Sequence, residues 1–279
     1  MPRFITICLL FGLISCKSRV KQSEDELYSR HLQEHVKLTI ITTALPDDKS
    51  TINLLLLNDG QDIEKLRVKD IVDSLSKKKL IQPLLIVAIH AGKRMQEYGV
   101  AGNPDYQHNG ADAEKYSAFI DDELLAFAKK KAGVRKFNTI TIAGCSLGGL
   151  SAFDFAWNHG DKVDKVGVFS GSFWLRDKDA KDPSYNDETD RLEYAMIKSS
   201  RKRPKLQYWF YAGTAEENGD RDKDGIIDVV DDTKDMIALL QTKNVSSADI
   251  VYKETAGGRH DYSDWAAVFP EFLIWAVGK

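Results

Sequence analysis

An α/β fold with a mainly parallel central sheet and helices on both faces is predicted by three observations. Short apolar runs such as Ile52–Leu57 and Leu84–Ile89 are continuous rather than alternating, the pattern of strands buried on both faces. Segments of helical period separate these runs, as βαβ connections require. The composition, 43% hydrophobic and 29% charged, is that of a globular chain and excludes disordered, collagenous and coiled-coil classes. A net charge of −3 and a pI near 6.1 give no global basic field, so no nucleic-acid partner is expected.

The chain opens on a targeting segment. Arg3 supplies a positive charge, and Phe4–Ile14 is an apolar run of signal-peptide length, too short to span a bilayer. Leu13-Ile14-Ser15-Cys16 looks like a bacterial lipobox, a small residue preceding a cysteine that receives lipid. The expected organisation is a lipoprotein signal peptide over 1–15, a polar tether over 16–34 with a short helix around Glu24–His31, and one α/β domain over 35–279. Two acyl chains on Cys16 would hold the protein stably at the cell envelope, where one would not. Of three cysteines, Cys8 leaves with the leader and Cys16 carries lipid, so Cys145 has no partner for a disulfide.

Beyond the tether, Val36–Thr43 reads as an outer strand, Ile52–Leu57 as a central one, Val68–Lys78 as an amphipathic helix and Leu84–Ile89 as a second central strand. Tyr116, Phe119, Ile120, Leu124 and Phe127 form one stripe on a long helix over Ala111–Ala132. Thr139–Ala143 is a β-branched strand, and Gly149–Trp157 a helix. Strands follow at Lys165–Ser170, Lys205–Tyr211 and Asp249–Glu254, with helices at Thr233–Lys243 and Tyr262–Val277. The charge-rich stretch Arg176–Arg203 interrupts the alternation, either as a solvated insertion or as a cap over the site.

Chemistry enters where Thr139–Ala143 runs into Gly144-Cys145-Ser146-Leu147-Gly148, with a helical segment behind it. This is G-x-S-x-G in the strand–turn–helix setting that raises a serine above a sheet edge. Ser146 is the candidate nucleophile, and the glycines leave room for a tight turn. A serine needs a base, and His260, on the glycine-rich loop after the last strand, fits the order Ser, acid, His. The acid should follow the strand ending at Tyr211; Glu216 is the first candidate and Glu217 the second.

With these residues in place the chain resembles the esterase family of α/β-hydrolases that includes esterase D, enterochelin esterases, feruloyl esterases and mycolyltransferases. The matching motifs are Leu57-Asn58-Asp59-Gly60-Gln61, Arg94 with Glu97-Tyr98, Phe119 with Asp122-Glu123-Leu124, the serine turn, Ser170-Gly171-Ser172-Phe173-Trp174, and Gly257-Gly258-x-His260 with Trp265. They spread over roughly 36–277. The resemblance implies the α/β-hydrolase fold and an oxyanion hole built from the backbone N–H groups of Gln61 and Leu147. It also implies Glu216 as the acid and no organic cofactor. Asn58 departs from the family, in which an apolar residue usually precedes Asp-Gly.

A second motif is independent of this. Asp220, Asp222, Asp224, Asp228 and Asp231 stand at positions 1, 3, 5, 9 and 12 of a calcium-type loop. Gly225 is at position 6, and Ile226 offers its carbonyl at position 7. Asp at position 12, in place of a bidentate Glu, implies weak affinity. The expectation is therefore a lipid-anchored serine esterase acting on a saccharide-linked or siderophore-type ester, with a structural Ca²⁺. An acyltransferase or peptidase would use the same triad, and a binding lipoprotein that has lost activity would share the scaffold.

Overall fold

A computed structural model describes residues 20–279; the segment expected to be a signal peptide and Cys16 lie outside that range. The eight strands are β1 (Lys21–Ser29), β2 (Glu34–Thr42), β3 (Asn53–Asn58), β4 (Leu84–Ile89), β5 (Ile140–Cys145), β6 (Lys165–Phe169), β7 (Gln207–Gly213) and β8 (Ile250–Thr255). They form one sheet in the order β1-β2-β4-β3-β5-β6-β7-β8. The β1–β2 and β2–β4 pairs are antiparallel and the rest are parallel. Every residue of β3, β4 and β5 is buried, the polar Asn53, Asn58 and Thr141 included, and the apolar runs Leu54–Leu57 and Leu84–Ile89 fit that two-sided burial.

The helices are α1 (Val68–Lys77), α2 (Arg94–Glu97), α3 (Ala113–Phe119), α4 (Leu125–Ala132), α5 (Leu147–Asn158), α6 (Asp187–Asp190), α7 (Leu192–Ser199), α8 (Asp228–Thr242) and α9 (Tyr262–Val277). They divide the apolar side chains into two main clusters, one on each face of the sheet. Phe119, Phe153 and Trp157 belong to the first; Trp265, Phe269 and Phe272 belong to the second. The long helix expected over 111–132 is present as α3 and α4 joined by one π turn, Ile120–Leu124.

Three expectations are corrected. Lys21–Ser29 is neither tether nor helix but the edge strand, in register with β2 from Lys21↔Thr42 to Ser29↔Glu34. It follows that β2 is not the outer strand. The hairpin is tied to the body by charge: Glu123 accepts the backbone N–H of Arg30 at 3.0 Å and its guanidinium at 3.1 Å, and Lys131 reaches Asp25 at 2.6 Å. Finally, α8 starts at Asp228 rather than Thr233, because Glu217 Oε1 accepts the Val229 N–H at 2.9 Å and supports the first turn.

The 176–203 insertion is bound to the body by buried polar groups. Arg191 bridges Asp232 (2.6 Å) and Asp235 (2.7 Å) on α8. Glu193 of α7 and Asp154 of α5 form a buried acidic pair, and burial pushes both carboxyls upward. Asp154 accepts hydrogen bonds from the Ala101 N–H and the Asn158 amide. A carboxyl whose folded pKa is raised stabilises the protein fully below its unfolded value, and that contribution is lost as pH rises through the folded one. Asp154→Asn is therefore expected to flatten the fall of Tm above about pH 4, the ordinary carboxylate range. Melting scans across pH check this; an unchanged slope would place the pH dependence elsewhere.

Candidate active site

Ser146 stands between β5 and α5 at φ 55°, ψ −126°, a conformation a non-glycine residue rarely adopts. The flanking glycines make this turn possible. A Cβ on Gly144 would lie 2.3 Å from the Gly148 carbonyl oxygen, and one on Gly148 would lie 2.6 Å from Asp59 Oδ2. The two arms of the turn are thus in backbone contact. The amide of Ser146 donates to Phe169 O on the neighbouring strand (2.8 Å), which seats the turn on the C-terminal edge of the sheet.

His260 and Glu216 meet on that edge. His260 Nδ1 lies 2.8 Å from Glu216 Oε2, and the Glu216 side chain is only 1% exposed. The other carboxylate oxygen accepts from Ser170 Oγ and the Gly213 N–H, each at 2.6 Å. Ser170 Oγ in turn accepts from Trp265 Nε1 at 2.8 Å, and the Trp265 ring meets the imidazole edge-on, centroids 4.9 Å apart. Both carboxylate oxygens are therefore occupied, and the imidazole is oriented through Nδ1. Glu217, the second candidate acid, caps α8, and burial raises its pKa. Among the described residues the hydroxyl contact of Ser146 is Ser172 Oγ at 3.4 Å, and no hydrogen bond joins it to His260.

The loop opposite is set by polar contacts the motif did not reveal. Asp59, left-handed at φ 60°, is gripped by Arg94 through two bonds of 2.7 and 3.0 Å, and its N–H donates to the buried Tyr98 hydroxyl. Asn58 accepts from the Tyr116 hydroxyl at 2.7 Å and donates to Gly148 O at 2.8 Å. The departure at Asn58 thus joins the Asp-Gly loop to the first turn of α5. Gln61 lies in a short 3₁₀ turn after Asp59 and Leu147 is the first residue of α5; neither backbone N–H has an acceptor among the described residues. Tyr262 reaches Asp62 at 2.8 Å and brings the His260 loop against this turn.

The acidic loop folds back on itself. One carboxylate oxygen from each of Asp220, Asp222 and Asp224 lies within 4.8 Å of the others. Asp228, expected to join them, instead accepts the Arg221 N–H at 2.8 Å and pairs with its guanidinium at 3.1 Å. That is a correction: a cation inside the motif competes for position 9. Asp231 stays close enough to the cluster that burial, then Asp224 and Asp222, push its carboxyl up to about 6.

A sheet with a serine turn on β5, an acid after β7 and a histidine after β8 defines an α/β-hydrolase. Within that class the chain belongs to the family described as "Putative esterase", whose model matches residues 29–276. Solved structures similar to it include a ferulic acid esterase (TM-score 0.69, 19% identity, 93% of this chain and 98% of that one). The enterobactin esterase of Shigella flexneri matches at TM-score 0.69 and 20% identity, over 92% of this chain and 58% of its own. A siderophore hydrolase of Aspergillus nidulans matches at TM-score 0.64 and 15% identity, over 98% and 96%. A search of curated protein sequences returned no match. The protein is an esterase of the α/β-hydrolase type.

Proposed function

We propose that the protein is a serine-dependent ester hydrolase working through an acyl-enzyme. The observation that carries this reading is the Glu216–His260 pair, oriented through Nδ1 on the same strand edge as the Ser146 turn. Ser146 Oγ attacks the ester carbonyl while its proton passes to His260 Nε2, and the Gln61 and Leu147 amides hold the oxyanion. Collapse expels the alcohol, which takes that proton. Water then attacks the acyl-enzyme, gives a proton to His260, and leaves the free acid and Ser146. The open Ser–His contact closes when substrate fills the site, as apo catalytic bonds often do.

A neutral ester carried on a large saccharide is the preferred substrate class. His260 is 40% exposed and Trp174 39%, and a cleft of about 300 Å³ reaches Gln61 on the Asp-Gly loop, lined also by His90, Ala91 and Gly92. The chemistry therefore sits on an open shelf that a polymer can cross. The loops at this edge (59–67, 90–112, 170–186, 214–227 and 256–261) carry ten Lys and Arg against fifteen Asp and Glu. That balance disfavours a polyanionic ferric catecholate, the runner-up supported by the fold likeness to siderophore hydrolases. Turnover of acetyl and feruloyl saccharide esters against catecholate esters tests the choice; catecholate preference would reverse it.

Lipid attachment at Cys16 and a location outside the cytoplasm complete the reading, supported by the lipobox. We also assign a Ca²⁺ to Asp220, Asp222 and Asp224 with the Ile226 carbonyl and Asp231, leaving Asp228 to Arg221. Extracellular sites of this kind bind at roughly 10⁻⁴–10⁻³ M. Chelation is expected to lower Tm by several degrees and to reduce kcat, since three residues separate Asp220 from Glu216. Calorimetric titration without heat, together with a Tm indifferent to chelator, would remove the ion.

A further inference from the structure

The two ends of the sheet carry opposite charge. The connections that return to its N-terminal edge are 43–52, 78–83, 133–139, 158–164, 199–206 and 243–249, together with residues 278–279. They hold twelve Lys and Arg against five Asp and no Glu. The catalytic edge has the reverse balance, and the overall −3 conceals both. Lys78, Lys79, Arg135, Lys136, Arg201 and Lys205 are exposed, and none has an acidic partner within 4 Å among the described residues. Leu45 and Leu80 are exposed on the same edge.

The start of the described chain lies at this edge too. β1 runs antiparallel to β2 and β2 to β4, so Lys21 sits opposite Thr42, which pairs with Leu85 at the start of β4. Val20 packs in the cluster that holds Ile41, Ile81 and Leu84. Four residue steps separate Cys16 from Val20, a covalent span of at most about 14 Å. The opposite edge, with Ser146, is a six-residue strand away, roughly 20 Å.

We infer that the basic N-terminal edge of the sheet is a docking face for anionic phospholipid headgroups, which holds the protein upright with its catalytic edge turned away from the bilayer. The orientation rests on the lipid anchor at Cys16 proposed above. The short covalent span keeps the start of β1 within about 14 Å of the bilayer, so the unpaired lysines and arginines along that edge can settle into the surface potential of an anionic membrane, which extends about one Debye length, ~8–10 Å. A bound bilayer neutralises like charges that are crowded on one edge, and the net-acidic catalytic edge is repelled from it. An ester on a large saccharide then approaches the shelf from the aqueous side.

The test uses the full lipidated protein in vesicles that contain a headgroup nitroxide quencher. One dye is placed on the distal edge through Ser247→Cys, another on the catalytic edge through Ser184→Cys; Cys145 is buried and Cys16 acylated. In vesicles rich in phosphatidylglycerol, the Ser247 dye should be quenched at least about twofold more than the Ser184 dye. The difference should vanish in phosphatidylcholine, and at ~1 M salt, where screening shortens to about 3 Å. It should also vanish in the combined Lys78→Glu, Arg135→Glu, Lys136→Glu, Arg201→Glu variant. That variant should turn over a soluble ester at the wild-type rate, which also shows that it folds. Equal quenching at the two positions, or a difference indifferent to lipid charge, overturns the docking face while the anchor stands. A difference produced by a polyanionic polysaccharide and not by phosphatidylglycerol overturns the lipid assignment. Absence of acyl mass on Cys16 overturns the anchor and the orientation with it.

Discussion

Ser146→Ala is expected to lower ester turnover by about 10³–10⁶-fold, the range seen when a triad nucleophile is removed and only binding and the oxyanion hole remain. The same position offers a second readout. At φ 55°, ψ −126° a residue with a Cβ is strained, on the scale of about 1–3 kcal/mol. Ser146→Gly removes that strain along with the hydroxyl, so it should be inactive and yet melt higher than Ser146→Ala. Steady-state rates and calorimetry on the two variants separate the chemical role from the conformational one. A variant retaining more than about a tenth of the rate, a loss of only ~1.4 kcal/mol of transition-state stabilisation, would exclude Ser146 as the nucleophile.

Glu216→Gln should cost nearly as much, about 10³–10⁴-fold in kcat, and for a reason the hydrogen bonds define. The carboxylate accepts from three groups: Ser170 Oγ and the Gly213 N–H at one oxygen, the imidazole at the other. An amide has one acceptor oxygen. If it faces Ser170 and Gly213, its NH₂ faces His260 Nδ1 and holds the proton on Nε2, where the base must be empty. If it faces His260, two donors lose their acceptor in a buried site. Glu217→Gln keeps the oxygen that caps the Val229 N–H and should stay within about twofold of wild type, because the cap survives. Equal losses in the two variants would mean that the acid has been misassigned.

The parts of the fold legible in the sequence are those whose burial is two-sided. β3, β4 and β5 are buried at every residue; the apolar runs Leu54–Leu57 and Leu84–Ile89 identify the first two without context, and β5 is apolar apart from the buried Thr141. β1 is the opposite case. Its sequence, KQSEDELYS, has no apolar face, because an edge strand needs only its backbone bonds to β2, and its charges keep the free edge from pairing with another chain. Local pattern cannot distinguish such a segment from a tether. The start of α8 was hidden similarly, since its first turn is supported by Glu217, eleven residues before it in sequence.

The candidate site divides along the same line. Ser146, His260 and the loop at Asp59–Gln61 are marked by glycines whose absence of a Cβ is a covalent requirement of a tight turn, and such requirements are written in the sequence. The choice between two adjacent glutamates is not, because both follow the same strand and only the packed loop decides which reaches the imidazole. Nor is the chain of bonds from Trp265 through Ser170 to Glu216, which joins three elements. The role of Asn58 and the loss of Asp228 to Arg221 belong with these. By itself the sequence determined the sheet's central strands, the serine turn and the late histidine, since each depends on short-range sterics or burial. The tertiary structure alone put Glu216 rather than Glu217 against His260, formed the polar grip on the Asp-Gly loop and gave the two sheet edges opposite charge, since each requires residues far apart in the chain to share one place.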